Sequence, residues 1–152
     1  LRMGGPRFDL FGFKDDHSPH YMYNEYDVDA RRTLRRTVFR FVVRSVPDPF
    51  MECLDCADPS QNVPVRNETL TAMQALAMMN NQFMVRQAER FETRLEAARP
   101  TAEARIEYAF ELALGRKPTA EEADWLAAHA SEHGLANVCR ILLNTNEFFF
   151  ID

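Results

Sequence analysis

A mainly α-helical fold, a single irregular helical domain of about five helices with a long ordered N-terminal arm, is predicted by three observations on this sequence. Apolar residues recur at helical spacing in consecutive stripes after Thr69. Glycines, prolines and a capping-box pattern punctuate those stripes where helices have to start and stop. A chain of 152 residues, 46% hydrophobic and 27% charged, suffices for one domain with a real core and is short for two.

Residues 1–29 make up the expected arm. There Gly4, Gly5, Gly12, Pro6 and Pro19 mix with Phe8, Phe11, Phe13, Tyr21, Tyr23 and Tyr26, an irregular segment anchored by buried rings. The helical body is expected over 30–152. Leu34, Val38, Phe41 and Val42 keep helical spacing within 31–45, and a helix is expected there, although the β-branched run VFRFVV leaves a strand open. Pro47 and Pro49 end it, because the residue before a proline is pushed out of the helical region. The stretch 50–67, with Pro59 and Pro64, reads as an ordered loop.

A helix starting near Thr69 or Thr71 is expected to bury Met73, Leu76 and Met79 and to break at Asn80 and Asn81, which cap a fresh turn. Met84, Ala88, Phe91, Leu95 and Ala98 then form one buried stripe that stops before Pro100. The next helix buries Ala102, Ile106, Ala109, Phe110 and Ala113, and Gly115 closes it. Thr119 and Glu122 form a capping box opening a further helix, with Ala123, Leu126, Ala127 and Ala130 inward. Gly134 alone separates it from the last helix, whose core residues are Leu135, Val138, Cys139 and Leu142, so the two must be antiparallel or sharply angled.

The net charge is −5, yet Arg31, Arg32, Arg35, Arg36, Arg40 and Arg44 crowd together while Glu dominates after Glu89. An acidic protein gains little from phosphate steering, so no nucleic-acid partner is expected. Those arginines are expected to pair with Asp27, Asp29, Asp48 or Asp55, or with an upstream domain. No run approaches the roughly 18 apolar residues of a spanning helix, so no membrane span is expected. The opening at Leu1 leads to the expectation of a trimmed or processed piece of a larger protein.

Three constellations bear on chemistry. Cys53 and Cys56 form a C-x-x-C, but Ala57 stands where haem attachment needs His, and the remaining thiol, Cys139, sits in an apolar stripe rather than completing a zinc set. His129, Glu132 and His133 match H-x-x-E-H, an inverted zinc-peptidase motif in which two His residues four apart share a metal and Glu serves as base. Against the buried face of that helix, Glu132 falls near the solvated pole with both His on its flank, so no metal is assigned and a zinc hydrolase stays the alternative. The third is polar: Arg66, Asn67, Gln74, Asn80, Asn81, Asn144, Asn146 and Glu147, either a hydrogen-bond network bracketing the 50–67 loop or the lining of a pocket for a polar ligand. His17 and His20 beside Asp15 and Asp16 read as solvated. No G-x-S-x-G elbow or phosphate-cradling glycine loop is present.

The runs RRTLRRTVFRFVVRSVPDPFM, DCADPS, RNETLTAMQALAMMNNQFMVRQA, AFELALGRKPTAEE and LLNTNEFFFID are specific when taken together. On them the chain, from about Gly4 to Asp152, resembles the planctomycete-type C-terminal domain of unknown function, the PSD domain family, found in large proteins that often carry a cytochrome c module. The resemblance implies an export signal far upstream, hence an extracytoplasmic setting in the periplasm or cell envelope, and brings no established chemistry. In that setting Cys53 and Cys56 can be oxidised to a local disulfide, the alternative being two reduced, partly buried thiols. The resemblance covers Cys56 through DCADPS and assigns Cys53 no role. The expectation is a non-catalytic binding or packing module without a cofactor, whose partners are upstream domains of the parent protein or another subunit. An enzyme whose site is completed by upstream domains is the other competing class.

Overall fold

Seven α-helices and no strand occur among the residues described by the computed structural model, which are 4–10, 21–23, 25–43, 45–56 and 71–149. The fold is mainly α. The chain divides into two compact units, residues 1–74 and 75–152.

The first unit is built on aromatic and arginine contacts more than on helices. An isolated parallel bridge joins Phe8 to Arg40, with the Phe8 amide donating to the Phe39 carbonyl at 3.0 Å and the Phe41 amide to the Phe8 carbonyl at 2.9 Å. Leu10 and Val43 are buried and packed against Tyr21, Tyr23, Tyr26 and Phe41. The Arg35 guanidinium lies 5.0 Å from the Phe8 ring centre and 5.6 Å from that of Phe39, and donates to the Pro6 carbonyl. Phe11, Phe13 and the rest of 11–20 lie outside the described residues.

The helix expected over 31–45 is not formed. Two 3₁₀ turns, Arg31–Leu34 and Thr37–Phe39, are followed by extended backbone, and Val38 and Val42 are 74% and 51% exposed instead of inward. The β-branched and aromatic run loses side-chain freedom in a helix, while the extended backbone pairs with Phe8 and lets Arg40 reach Asp48, both side chains nearly buried.

A short helix, α1 (Pro49–Cys53), replaces the start of the expected loop. Asp48 caps it by accepting from the Phe50 amide at 2.9 Å, and Pro49 takes the first helical position, where its missing N–H costs nothing. The end of α1 is a Schellman turn: the Cys56 amide donates to Met51 at 3.0 Å and the Asp55 amide to Glu52 at 3.1 Å, with Asp55 left-handed at φ 53°. Residues 57–67, the remainder of the expected loop, lie outside the described ones.

Helix α2 (Ala72–Asn80) begins at a second capping box. The Thr71 amide donates to Gln74 Oε1 at 2.9 Å, and the Gln74 amide to Thr71 Oγ1 at 3.2 Å. Its buried face is not the expected one: Gln74 and Met78 are buried, whereas Met73 and Leu76 stand 63% and 59% exposed. Ala, Met and Leu line every side of this helix, so its sequence does not define a single apolar stripe. The break then falls at Asn81, whose side chain accepts from the Phe83 amide at 2.9 Å and starts α3 (Gln82–Ala98).

The core of the second unit joins α3, α4 (Ala102–Leu114), α5 (Ala120–His133) and α6 (Leu135–Leu142). Ala88 and Leu95 of α3, Ile106, Ala109 and Phe110 of α4, Leu126 of α5, and Val138, Cys139 and Leu142 of α6 are all nearly inaccessible. The stripes after α2 fall as expected, except that Ala98 and Ala102 at the helix ends face solvent. Gly115 closes α4 at φ 70°, and Gly134 makes the α5–α6 joint at φ 86°, ψ 157°. The first turn of α6 has no side-chain cap of its own and borrows one from α3: the Ala136 amide donates to Glu92 Oε1 at 3.1 Å. A four-residue helix, α7 (Asn146–Phe149), follows.

Candidate functional site

The described polar residues among those singled out in the sequence fall into groups by the contacts they make, most of them at helix ends. Gln74 closes the α2 capping box and also donates from Nε2 to Asp55 Oδ2 at 3.4 Å, tying α2 to the turn that ends α1. Arg66 and Asn67 lie outside the described residues.

The second group surrounds the α2–α3 joint. Asn80 Nδ2 donates to the Leu76 carbonyl at 2.9 Å, while Asn81 serves as the α3 cap. From α6, Arg140 Nε donates to the Met79 carbonyl at 2.5 Å and Nη2 to Asn80 Oδ1 at 3.5 Å, and Asn144 Nδ2 reaches the Ala75 carbonyl at 3.4 Å. A guanidinium and an amide thus satisfy carbonyls along and at the end of α2, where the helix dipole favours positive charge. Among the described residues these amides serve helical backbone and Arg140, not the 50–56 segment.

The third group is an ion-pair clamp whose two carboxylates, Glu122 as a capping-box residue and Glu147 as a polar candidate, were legible in the sequence, but whose arginine was not. Arg116, just past the end of α4, holds Glu122 through two bonds of 2.9 and 2.8 Å and Glu147 through two of 2.6 and 2.8 Å. Its guanidinium also lies 5.2 Å from the ring centre of the buried Phe110. Glu122 does double duty, since its Oε2 accepts the Thr119 amide at 2.7 Å to complete the α5 capping box. The bidentate fork matches the carboxylate geometry and carries more specificity than a point charge. Asn146 opens α7 on the exposed surface.

The clamp sets the local electrostatics. The Arg116 hydrogen bonds, then that from the Thr119 backbone, hold the Glu122 carboxyl down at about 2 from its ordinary 4.5, and Arg116 lowers Glu147 as well. The hydrogen bonds Arg116 donates, those to Glu122 first and then those to Glu147, raise its own pKa above the usual value. Because the carboxylate pKa falls on folding, the stabilisation is present above about pH 4.5 and is lost as pH drops toward 2. Substituting Arg116→Gln is therefore expected to flatten the acid limb of a stability-versus-pH curve between pH 4.5 and 2. Urea midpoints measured across that range check it, and an unchanged acid limb in the variant would count against the clamp.

On α5 the half-buried His129 is flanked by the exposed Trp125 and His133, and the Glu132 carboxylate lies 3.7 Å from His133 Nε2. Among the described residues no group of three or more His, Cys, Asp or Glu side chains is placed to hold a metal. Cys53 is half-buried, Cys56 exposed and Cys139 buried, all three as free thiols. Burial pushes the Cys139 thiol up to about 12, with the Glu92 charge adding to it, which makes it a poor nucleophile. An open groove of about 470 Å³ runs between the first turns of α4 and α5, lined by Thr101, Glu103, Glu107, Lys117 and Thr119, and its Lys117 is paired with Glu107. No helix among the described residues is long and apolar enough to cross a membrane.

What the arrangement does chemically is cap helices and lock the α4–α5–α7 corner. Arg116 was legible only in hindsight, as the arginine six residues before a capping-box glutamate. No curated protein matches the chain, and no solved structure does. A family model does match, over residues 1–130: PSD1, described as a protein of unknown function (DUF1553). The match spans most of the chain, so this protein belongs to the PSD1 (DUF1553) family of unknown function.

Proposed function

We propose that this chain is a non-catalytic binding module of a larger exported protein, docking through apolar side chains to upstream domains of its parent or to another subunit. One observation carries the reading: polar and apolar side chains have divided their labour. The described polar candidates are engaged at helix ends and in the Arg116 clamp, apart from Asn146, while Met73, Leu76 and Trp125 are 63%, 59% and 58% exposed. Large apolar groups in water supply the driving force for association, and Met and Trp are enriched at interfaces. The extracytoplasmic setting and the company of a cytochrome c module rest on the family resemblance. An absence of nucleic-acid partners accords with an arginine cluster whose Arg40 is paired with Asp48 and whose Arg35 lies over aromatic rings.

Hydroxyl-radical labelling tests the reading, with the buried Met78 as internal control. Met73, Leu76 and Trp125 are expected to label readily in the chain alone and to be shielded in the intact parent protein. Equal labelling in both would overturn the docking role.

A further inference from the structure

Trp125, His129 and His133 follow one another at four-residue spacing along α5. Side chains four apart on a helix lie one above the other, and here the two imidazole centres are 4.6 Å apart with their planes tilted by 57°. The Trp125 indole stacks on His129 at 5.5 Å and 15° between planes, so the first imidazole is held by a neighbouring ring. The Glu132 carboxylate, 3.7 Å from His133 Nε2, adds negative charge beside the second imidazole. His133 is also the last residue of α5, where the helix dipole presents its negative end. All these features favour a cation at the pair of rings, and none takes part in the core or in the Arg116 clamp.

We propose that His129 and His133 form a two-imidazole chelate for a divalent late transition-metal ion, copper(II) foremost. Neutral imidazole is a ligand suited to copper, nickel and zinc, and among these divalent ions affinity for a given nitrogen site is highest for copper(II). With two protein ligands and water filling the other positions, the site is open and exchangeable, unlike structural zinc sites with four ligands. Binding involves no redox step: each imidazole donates a lone pair and the ion keeps its charge. The site therefore loads and releases an ion, and needs none of the base chemistry that a peptidase would ask of Glu132.

The chain's single tryptophan supplies the readout, because Trp125 stacks on one of the proposed ligands. Copper(II) chloride titrated into the full chain in a non-coordinating buffer is expected to quench Trp125 fluorescence saturably at one ion per chain. His129→Asn and His133→Asn should each weaken the midpoint by about 10- to 100-fold or more, the range seen when even an outer-shell partner of a metal is lost. A composition-matched variant, Ser131→His with His133→Ser, keeps the number of histidines but sets the pair two residues apart, where side chains do not face each other, and should weaken binding similarly. His17→Asn with His20→Asn should leave the titration unchanged. Circular dichroism on each variant verifies that these surface substitutions keep the helix content. A midpoint unmoved in His133→Asn or in the spacing variant, or a quench abolished by the His17 and His20 changes, would overturn the assignment.

Discussion

Replacing Leu95 by Ala is expected to destabilise the chain by about 2 to 5 kcal/mol, the range for deleting a buried leucine side chain. Leu95 is completely inaccessible and belongs to the cluster with Ile106, Phe110, Val138 and Leu142, so it stands where α3, α4 and α6 meet. The loss has two parts: the transfer free energy of the removed methyl and methylene groups, and the cavity that closely packed neighbours cannot close. Leu76→Ala supplies the contrast. Leu76 is 59% exposed, and its truncation should stay within about 0.5 kcal/mol, as surface changes do. Urea unfolding of both variants measures the difference; equal effects would mean that the face of α2 is wrongly assigned or that Leu95 is not central to the core.

Gly134→Ala should cost about 1 to 3 kcal/mol, and for a reason unrelated to packing. Nothing lies within 4 Å of the added Cβ, so space is available. The backbone is the obstacle: φ 86° with ψ 157° falls in a region that essentially only glycine populates. Since α5 and α6 meet through this one residue, the variant must either carry the strain or swing the two helices apart. Gly115→Asn is the control, because φ 70° with ψ 10° is left-handed helical space that Asn tolerates, and its cost should be clearly smaller. Thermal unfolding of the pair checks this order, and a Gly134→Ala midpoint equal to that of the native chain would show that the joint relaxes freely.

Sequence alone determined the helical second half of this protein, and the physical reason is local redundancy. In α3 to α6 the apolar period, the caps and the punctuation agree: Thr119 with Glu122 at one end and Gly115 or Gly134 at another mark boundaries that the tertiary structure keeps. Asn81 was readable as a cap for the same reason, since its side chain bonds an amide two residues away. Membership of a family of unknown function was likewise visible in the sequence runs.

Where local signals conflicted or were silent, only tertiary structure decided. The β-branched run after Arg36 was compatible with helix or strand, and pairing with Phe8 together with the Arg40–Asp48 ion pair settled it as turns and extended backbone. In α2 apolar residues lie on all sides, so no period selects a face; the buried side is Gln74 and Met78, with α6 reaching the Ala75 and Met79 carbonyls through Asn144 and Arg140. Glu147 and Arg116 are 31 positions apart, a separation over which sequence periodicity says nothing about contact. Their pairing follows from how helices with well-defined ends pack, which no single segment encodes.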